Sequence, residues 1–220
     1  MTFRILPLAA LVALAACTSP EREPSDSGPS ASPEPAGSPA VTVPSAASSD
    51  PIPVAIPKPP VVDPAARRIA LAEWRKSDKP ETCAPLALKS DGGGAGTARR
   101  ANFSGGWGVA FDQPGLRSAY GIAGTGYLPQ DTESVDKQRA RLAAQWPLFR
   151  ELEHLPSPSF AGYGIEGAKA YPASNPDGRG ESSIAYVRIG GQQCDYNVWS
   201  KLGRAHLEHL LEKLELLPTG

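Results

Sequence analysis

The sequence predicts an α+β fold, in which an antiparallel sheet of about five strands carries two to four packed helices. Two observations lead to this prediction. Strand-like runs of β-branched and aromatic residues alternate with stretches of helical apolar spacing, in the order α-ββ-α-βββ-α. The adjacent residues Gly190 and Gly191 also separate the last two strand-like runs, where a two-residue turn would form a hairpin. We therefore expect residues 64–220 to fold as one globular domain.

Three stretches of this domain are predicted to be helical. The first begins after Asp63, which can cap it, and runs to about residue 76. The second covers residues 132–154, where Pro147 should kink the helix or divide it in two. The third covers residues 203–217 and carries leucines on one face. The expected strands are residues 107–111, 119–123, 163–171, 184–189 and 192–199.

Residues 17–63 differ in composition from the domain that follows them. Of the 24 prolines in the chain, 13 precede Pro64, and residues 18–63 include no aromatic residue. Such a segment cannot bury enough apolar surface to offset the loss of chain entropy, so we expect a disordered linker. Fully extended, it would reach roughly 140 Å at about 3.1 Å per residue. A spacer of selected length and a linker of arbitrary length are both compatible with this composition.

The charge of the chain argues against a nucleic-acid partner. The formal net charge is −1, and residues 64–220 hold 19 basic and 17 acidic side chains. Nucleic-acid binding usually needs a concentrated basic face, so no such partner is expected. The apolar runs also fall short of the roughly 18 residues that a membrane-spanning helix needs.

The N-terminus has the organisation of an export signal. Arg4 supplies a short positive region, and the apolar residues 5–16 follow it. Residues 14–17, Leu-Ala-Ala-Cys, resemble the lipobox of bacterial lipoproteins at every position. The resemblance implies that residues 1–16 are removed as a signal peptide and that Cys17 receives diacylglycerol on its thiol and an acyl chain such as palmitate on its new amino group. An ordinary cleaved signal with an incidental cysteine is the alternative.

The lipobox resemblance also implies a location. Two or more acyl chains anchor a protein stably, so the membrane is an expected partner through the lipid. Thr18 follows the cysteine, where an aspartate would resemble an inner-membrane retention signal. The resemblance therefore favours an outer-membrane lipoprotein that faces the periplasm over an inner-membrane one.

The two remaining cysteines are predicted to form a disulfide. Once Cys17 is assigned to lipid, Cys83 and Cys194 are left in a domain that the periplasm would keep oxidised. Their bond would close a loop of about 110 residues. A reactive thiol or a metal pair is the competing interpretation, but two cysteines without a Cys-x-x-Cys spacing make a poor zinc site.

The candidate metal ligands are His206 and His209, three residues apart on the third predicted helix. The sequence has no His-Glu-x-x-His motif, and a third ligand would have to come from elsewhere. A solvated helix border is therefore the favoured interpretation. We expect neither a metal nor a cofactor.

Three other motifs fall short of an active site. Ser134 and Lys137 match Ser-x-x-Lys, but the partner motifs of the serine enzymes are absent, and Ser134 suits the first turn of a helix. The Gly-rich residues 91–96 follow no clear strand and indicate a mobile loop. Arg99 and Arg100 could contact an anionic polymer, although a solvated pair beside core aromatics is the favoured interpretation.

No group of residues in the sequence supports a catalytic assignment. The expected function is a non-catalytic binding or envelope-accessory module whose ligand is a protein, a glycan or a small molecule. The alternative is a periplasmic hydrolase-type enzyme with a site assembled from residues distant in sequence. A deep pocket that gathers His154, His206 or His209 with carboxylates or a serine would favour the enzyme, whereas a shallow surface with an exposed aromatic patch would favour binding.

Overall fold

The computed structural model describes residues 62–103, 105–127 and 133–219. The signal peptide, the lipid site and nearly all of the linker predicted for residues 1–63 lie outside these ranges. None of the helices within them combines the length and the hydrophobicity that crossing a bilayer requires. The helices are Ala65–Trp74 (α1), Val135–Gln145 (α2) and Arg204–Glu212 (α3). The strands, β1 to β9 in chain order, are Leu86–Leu88, Thr97–Arg100, Trp107–Gln113, Leu116–Tyr127, Leu148–Glu151, Phe160–Ile165, Ser183–Arg188, Cys194–Ser200 and Leu214–Leu216.

Seven of these strands form one antiparallel sheet. Its order is β2-β3-β4-β8-β7-β6-β5, while β1 pairs with β9 in a separate two-stranded ribbon. Every pairing in the sheet is antiparallel. The predicted α+β class, with helices packed on an antiparallel sheet, is therefore confirmed, and the sheet is larger than the five strands expected.

One face of the sheet forms the core, and α1 and α3 pack on it. Burial alternates along β8, where Tyr196 and Val198 are fully buried while Asn197 is only partly buried. This alternation follows from the two-residue period of a strand. Helix α1 lies against β2 and β3, and α3 lies against β7 and β8, with Leu207 and Leu210 fully buried.

Helix α2 covers the opposite face, which we term the second face, above β5 and β6. Gly162 of β6 allows this close approach. A Cβ atom at Gly162 would lie 2.7 Å from Cδ1 of Trp146 and 2.8 Å from Cγ of Leu142. None of the residues of α2 itself is buried. The helix therefore rests on the sheet through few contacts.

Helix α1 begins where the sequence predicts. The Asp63 carboxylate accepts hydrogen bonds from the N–H of Ala65 and the N–H of Ala98, both at 2.8 Å. These two donors hold the pKa of Asp63 below its ordinary value. One carboxylate therefore caps α1 and ties it to β2. The helix ends at Trp74, two residues before the predicted end.

The second predicted helix is wrong over its C-terminal part. Helix α2 ends at Gln145, and Leu148–Glu151 forms the edge strand β5. Pro147 has no N–H with which to continue a helix, so the expected division of this segment occurs. After Pro147 the chain continues as β5, which pairs with β6 and adds its apolar side chains to the sheet.

The third predicted helix is also too long. Helix α3 ends at Glu212, and Leu214–Leu216 forms β9, which pairs with Leu86–Leu88. Both elements bury their leucines in one core, among them Leu211 and Leu214. The single apolar stripe in the sequence is therefore shared by a helix and a strand.

The five predicted strands are present with shifted limits. Strand β6 ends at Ile165 instead of residue 171, and residues 189–193 join β7 to β8 in place of a two-residue turn. Gly190 lies close to another chain segment, because a Cβ there would be 2.5 Å from the backbone oxygen of Ser157. The unpredicted strands β1, β2, β5 and β9 have only three or four residues each, too few for a clear sequence period.

Candidate functional site

The predicted disulfide between Cys83 and Cys194 is present. It joins the segment after α1 to the first residue of β8, and the two cysteines are 6% and 0% exposed. Beside it, the Tyr196 hydroxyl donates to the Ala84 carbonyl at 2.9 Å, and the Ala84 N–H donates to the side chain of Gln192 at 2.7 Å. A disulfide that is buried beside these hydrogen bonds has a structural role, because thiol exchange requires access to the sulfur atoms.

The Gly-rich residues 91–96 are held by a buried carboxylate, in contrast to the mobile loop that the sequence indicates. Asp91 is 1% exposed, and its side chain accepts from the N–H of Gly93 at 3.1 Å and the N–H of Ala95 at 2.9 Å. It also accepts from the Tyr120 hydroxyl at 2.9 Å, which in turn accepts from the Gly96 N–H at 2.8 Å. Burial raises the pKa of Tyr120, so the phenol stays protonated as the donor.

His206 closes this network from α3. Its Nε2 lies 2.8 Å from the backbone oxygen of Asp91, and its Nδ1 lies 2.9 Å from Oγ of Ser200. A carbonyl oxygen only accepts, so Nε2 carries a proton, and a neutral ring then accepts from the Ser200 hydroxyl at Nδ1. Burial lowers the pKa of His206, which favours this neutral form.

The hydrogen bond between Ser200 and His206 has the chemistry of a nucleophile and its base, but its surroundings fit a structural role. Ser200 is 0% exposed, and its Oγ also accepts from the Leu202 N–H at 3.0 Å. A nucleophile must reach a substrate, and this hydroxyl is enclosed. The pair fastens the end of β8 to α3.

His206 and His209 do not form a metal site in the described structure. Both ring nitrogens of His206 are engaged, and Nε2 of His209 lies 3.1 Å from Oγ of Ser90. Among the residues that the structure describes, no group of three or more His, Cys, Asp and Glu side chains is arranged to hold a metal ion. His154 is exposed on the connection between β5 and β6. His209 therefore contacts a serine that is partly exposed, whereas the serine beside His206 is buried, and none of the described hydrogen bonds joins either ring to a carboxylate side chain.

Ser134, the first residue of the Ser-x-x-Lys motif, caps α2. Its Oγ accepts from the Lys137 N–H at 3.4 Å. A serine at this position satisfies one of the free N–H groups at a helix start. The structural interpretation of this motif is confirmed.

Arg99 also has structural partners. Its guanidinium donates to Asp112 at 2.7 Å and to Ser118 at 2.5 Å. The contact with Arg99 holds the pKa of Asp112 below its ordinary value. Arg99 is therefore held by side chains of the neighbouring strand and of β4 instead of being solvated, whereas Arg100 is exposed.

A groove opens between α2 and the second face of the sheet, and we name it the α2 groove. Its volume is about 510 Å³, within the range of about 300–1,000 Å³ that is usual for ligand sites. Gln138, Leu142 and Gln145 form its helical wall, because residues three and four apart share one helix face. Trp146 closes the wall where the helix ends.

The floor of the α2 groove comes from alternate residues of β7. Ile184, Tyr186 and Arg188 all face it, as the strand period requires. Tyr186 is 37% exposed, and its ring centroid lies 5.1 Å from that of Trp146. Its partner in β6 is Gly162, which has no side chain to fill the space that Trp146 occupies. The result is an exposed aromatic ring that packs against a buried one.

The charges that line the α2 groove cancel. Arg141 and Arg188 are matched by Glu166 and Asp195. Nε of Arg188 lies 2.9 Å from Oδ1 of Asp195, and Nη1 of Arg141 lies 3.4 Å from Oε2 of Glu133. The groove therefore offers hydrogen-bonding groups without an excess of either charge.

This site is not evident from the sequence because its walls come from elements far apart in the chain. Trp146 lies inside the segment predicted as the second helix, and Tyr186 lies inside a predicted strand, so the sequence does not bring the two rings together. Two signals could have found it. Gly162 and Gly164 at alternate positions of a strand indicate that another element approaches closely. The alternation around Tyr186 also places an aromatic ring on the less buried face.

No protein-family model, curated protein or solved structure matches this chain. The features that bear on function are therefore the chemistry of the α2 groove and the N-terminal signal.

Proposed function

We propose that this chain is a membrane-anchored lipoprotein of the cell envelope whose domain binds a ligand in the α2 groove without catalysing a reaction. Lipid on Cys17 is the anchor, residues 18–63 are the linker, and residues 64–220 are the binding module. The lipobox-like residues 14–17 support the anchor. The disulfide between Cys83 and Cys194 supports an oxidising compartment such as the periplasm, because such bonds are rare where thiols are kept reduced.

The composition of the α2 groove is the observation that carries the binding role. Its described lining combines the exposed ring of Tyr186 with two glutamine amides and contains no serine, cysteine or histidine. Covalent hydrolysis needs an activated nucleophile, and these are the usual residues. Of the two lining carboxylates, Asp195 pairs with Arg188 and Glu166 lies on an exposed loop. These features favour recognition of a ligand over its chemical conversion.

The alternative, a periplasmic hydrolase, would depend on Ser200 and His206. Their hydrogen bond of 2.9 Å is the shorter of two serine–histidine contacts in the described structure; in the other, Nε2 of His209 lies 3.1 Å from Oγ of Ser90, and no described hydrogen bond joins that ring to a carboxylate. An enzyme would have to expose Ser200, which is 0% exposed and also accepts from the Leu202 N–H. We therefore favour the binding function.

Photo-crosslinking in living cells tests the binding role. A photoreactive amino acid replaces Ala168, which lines the α2 groove, in the full-length chain. A matched chain carries it at Ala72, an exposed position of α1 on the other side of the sheet. We expect an adduct from position 168, because a bound ligand would lie against it, and a clearly lower yield from position 72.

A second substitution makes the result specific to the α2 groove. Adding Tyr186→Leu to the chain labelled at position 168 should abolish the adduct, because it removes the exposed ring of the floor. Equal yields at positions 168 and 72, or an adduct that persists in the Tyr186→Leu chain, would contradict the proposed binding site.

A further inference from the structure

We infer that the ligand of the α2 groove is a neutral saccharide; this rests on the binding function proposed above and names its ligand class. The inference combines three properties of the groove: a flat exposed ring, amide groups beside it, and charges that cancel. Each restricts the ligand in a different way.

The ring of Tyr186 provides a platform for a sugar. A pyranose ring has one face of C–H groups, which packs favourably against the flat face of an aromatic side chain, while its hydroxyl groups point outward. Tyr186 is 37% exposed, whereas Trp146, whose ring contacts it, is only 6% exposed. Because the buried ring packs against the exposed one and restricts its motion, little side-chain entropy is lost on binding.

The wall opposite the platform suits hydroxyl groups. Gln138 and Gln145 both line it, and an amide side chain can donate and accept, as a hydroxyl can. Nε2 of Gln138 donates to the Glu133 carbonyl at 2.9 Å, which orients the amide. Between the two glutamines, Leu142 and Ile184 contribute apolar surface for the C–H groups of a sugar.

The charge balance selects a neutral ligand over a charged one. An anion would meet Glu166 and Asp195 as well as the two arginines. The pair of Arg188 and Asp195, with side chains 14% and 26% exposed, would have to open to bind a charge directly. Breaking such a partly buried pair leaves one partner without compensation, which is costly. A neutral polyol binds at this pair without opening it.

The size of the α2 groove fits a short stretch of sugar. A volume of about 510 Å³ holds one or two hexose rings. The groove is open to solvent, so a longer glycan can continue beyond it.

Titration of the purified full-length protein in detergent micelles tests the inference. Isothermal calorimetry is run with cellobiose, maltotriose and di-N-acetylchitobiose as neutral probes. Digalacturonate is the anionic comparison, and trialanine is the peptide comparison. We expect saturable binding of at least one neutral saccharide with a Kd of about 1 mM or tighter, and at least about tenfold weaker binding of the other two classes.

Two variants tie that binding to the α2 groove. Tyr186→Leu should weaken it at least about tenfold, because aromatic anchors dominate such sites. Val135→Ala alters an exposed apolar residue of α2 outside the described lining, so it should bind within about twofold of the parent. Unfolding midpoints equal to that of the parent show that the variants are folded.

The outcomes separate this inference from the proposed function. Saccharide binding that Tyr186→Leu leaves intact overturns the saccharide inference for this groove. Binding of the peptide or the anion alone, lost in Tyr186→Leu, overturns the saccharide class while the binding function stands. Absence of binding to every probe overturns the saccharide inference; if the photo-crosslinked adduct is also absent, the proposed function fails as well.

Discussion

At the scale of single residues, Asp91 and His206 fasten the Gly-rich loop to the rest of the domain. The side chain of Asp91 binds two loop N–H groups and the Tyr120 hydroxyl, while its backbone oxygen accepts from His206. The Asp91 carboxylate and the Tyr120 hydroxyl are buried, so each depends on its partner for compensation. Removal of one member should therefore destabilise the domain.

Tyr120→Phe tests this dependence. The substitution leaves the Asp91 carboxylate without one donor and the Gly96 N–H without its acceptor, but it keeps the ring that stacks on Phe111 at 4.6 Å. We expect the free energy of unfolding to fall by about 1–3 kcal/mol, the usual cost of unsatisfied buried polar groups. Urea denaturation measures it. Tyr186→Phe, which alters a partly exposed hydroxyl, should change it by less than about 0.5 kcal/mol; equal effects of the two substitutions would contradict the network.

His206 should make stability depend on pH. Burial lowers the pKa of His206 below its ordinary value of 6.5, so the unfolded chain binds a proton at a higher pH than the folded chain does. Stability from the neutral ring is therefore complete above pH 6.5 and is lost as the pH falls from there through the lowered pKa. His206→Gln should remove up to about one proton from the pH dependence of the unfolding free energy between pH 7 and 5. Identical slopes for parent and variant would show that His206 does not titrate in this way.

At the scale of elements, α2 is the least buried of the three described helices. None of its residues is buried, and it meets the sheet where Gly162 has no side chain. A helix held in this way opens locally at a lower free energy than the core helices do. Because α2 forms one wall of the α2 groove, its position sets the width of the proposed binding site.

Gly162→Val should lift α2 from the sheet. Even a Cβ at this position would lie 2.7 Å from Trp146 and 2.8 Å from Leu142, so the helix must move. We expect faster hydrogen exchange of the α2 amides, with a global destabilisation of about 1–3 kcal/mol, which is typical of overpacking. The amides of α3 are the internal control. Exchange in α2 that changes no more than exchange in α3 would rule out this account of how α2 is held.

The sequence predicts the class of the fold because strands and helices differ in apolar period, and the strand-like runs around Val109 and Val198 are both present. The sequence-based prediction fails where the same apolar spacing continues from a helix into a strand. The leucines from Leu207 to Leu217 have helical spacing, yet Leu214 belongs to strand β9 and Leu217 follows that strand. Helical spacing alone cannot show that the segment after Pro147 joins a sheet.

The two sites differ in the same way: the disulfide could be predicted from the sequence, whereas the α2 groove could not. Pairing of Cys83 with Cys194 was predictable because the lipobox resemblance assigns Cys17 to lipid, and the two cysteines that remain allow one bond. The contact between Trp146 and Tyr186 depends on the docking of α2 onto β6 and β7. Such a juxtaposition follows from tertiary packing, which a single sequence does not reveal.

At the scale of the whole molecule, the disulfide joins distant parts of the described chain, with a sequence separation of 111 residues. The double substitution Cys83→Ser with Cys194→Ser should lower the free energy of unfolding by about 3–5 kcal/mol, because a long loop gains entropy when it is opened. Urea denaturation with and without reductant measures the effect. Reductant should destabilise the parent and leave the double variant unchanged; a parent that reductant does not affect would mean that the bond contributes nothing.

The proposed lipid anchor determines where in the cell the domain acts. If Cys17 is acylated, the linker of residues 18–63 holds the domain within reach of one membrane and of the polymers beside it. The α2 groove then works at a high local concentration of envelope ligands, where weak binding is sufficient.

The intact mass of the protein isolated from membranes tests the exported-lipoprotein proposal most directly. We predict the mass of residues 17–220 with one disulfide, increased by a diacylglycerol group and an acyl chain. A Cys17→Ser chain should lack this increase and no longer sediment with membranes. A mature chain that keeps residues 1–16, or that carries no lipid on Cys17, would contradict the account.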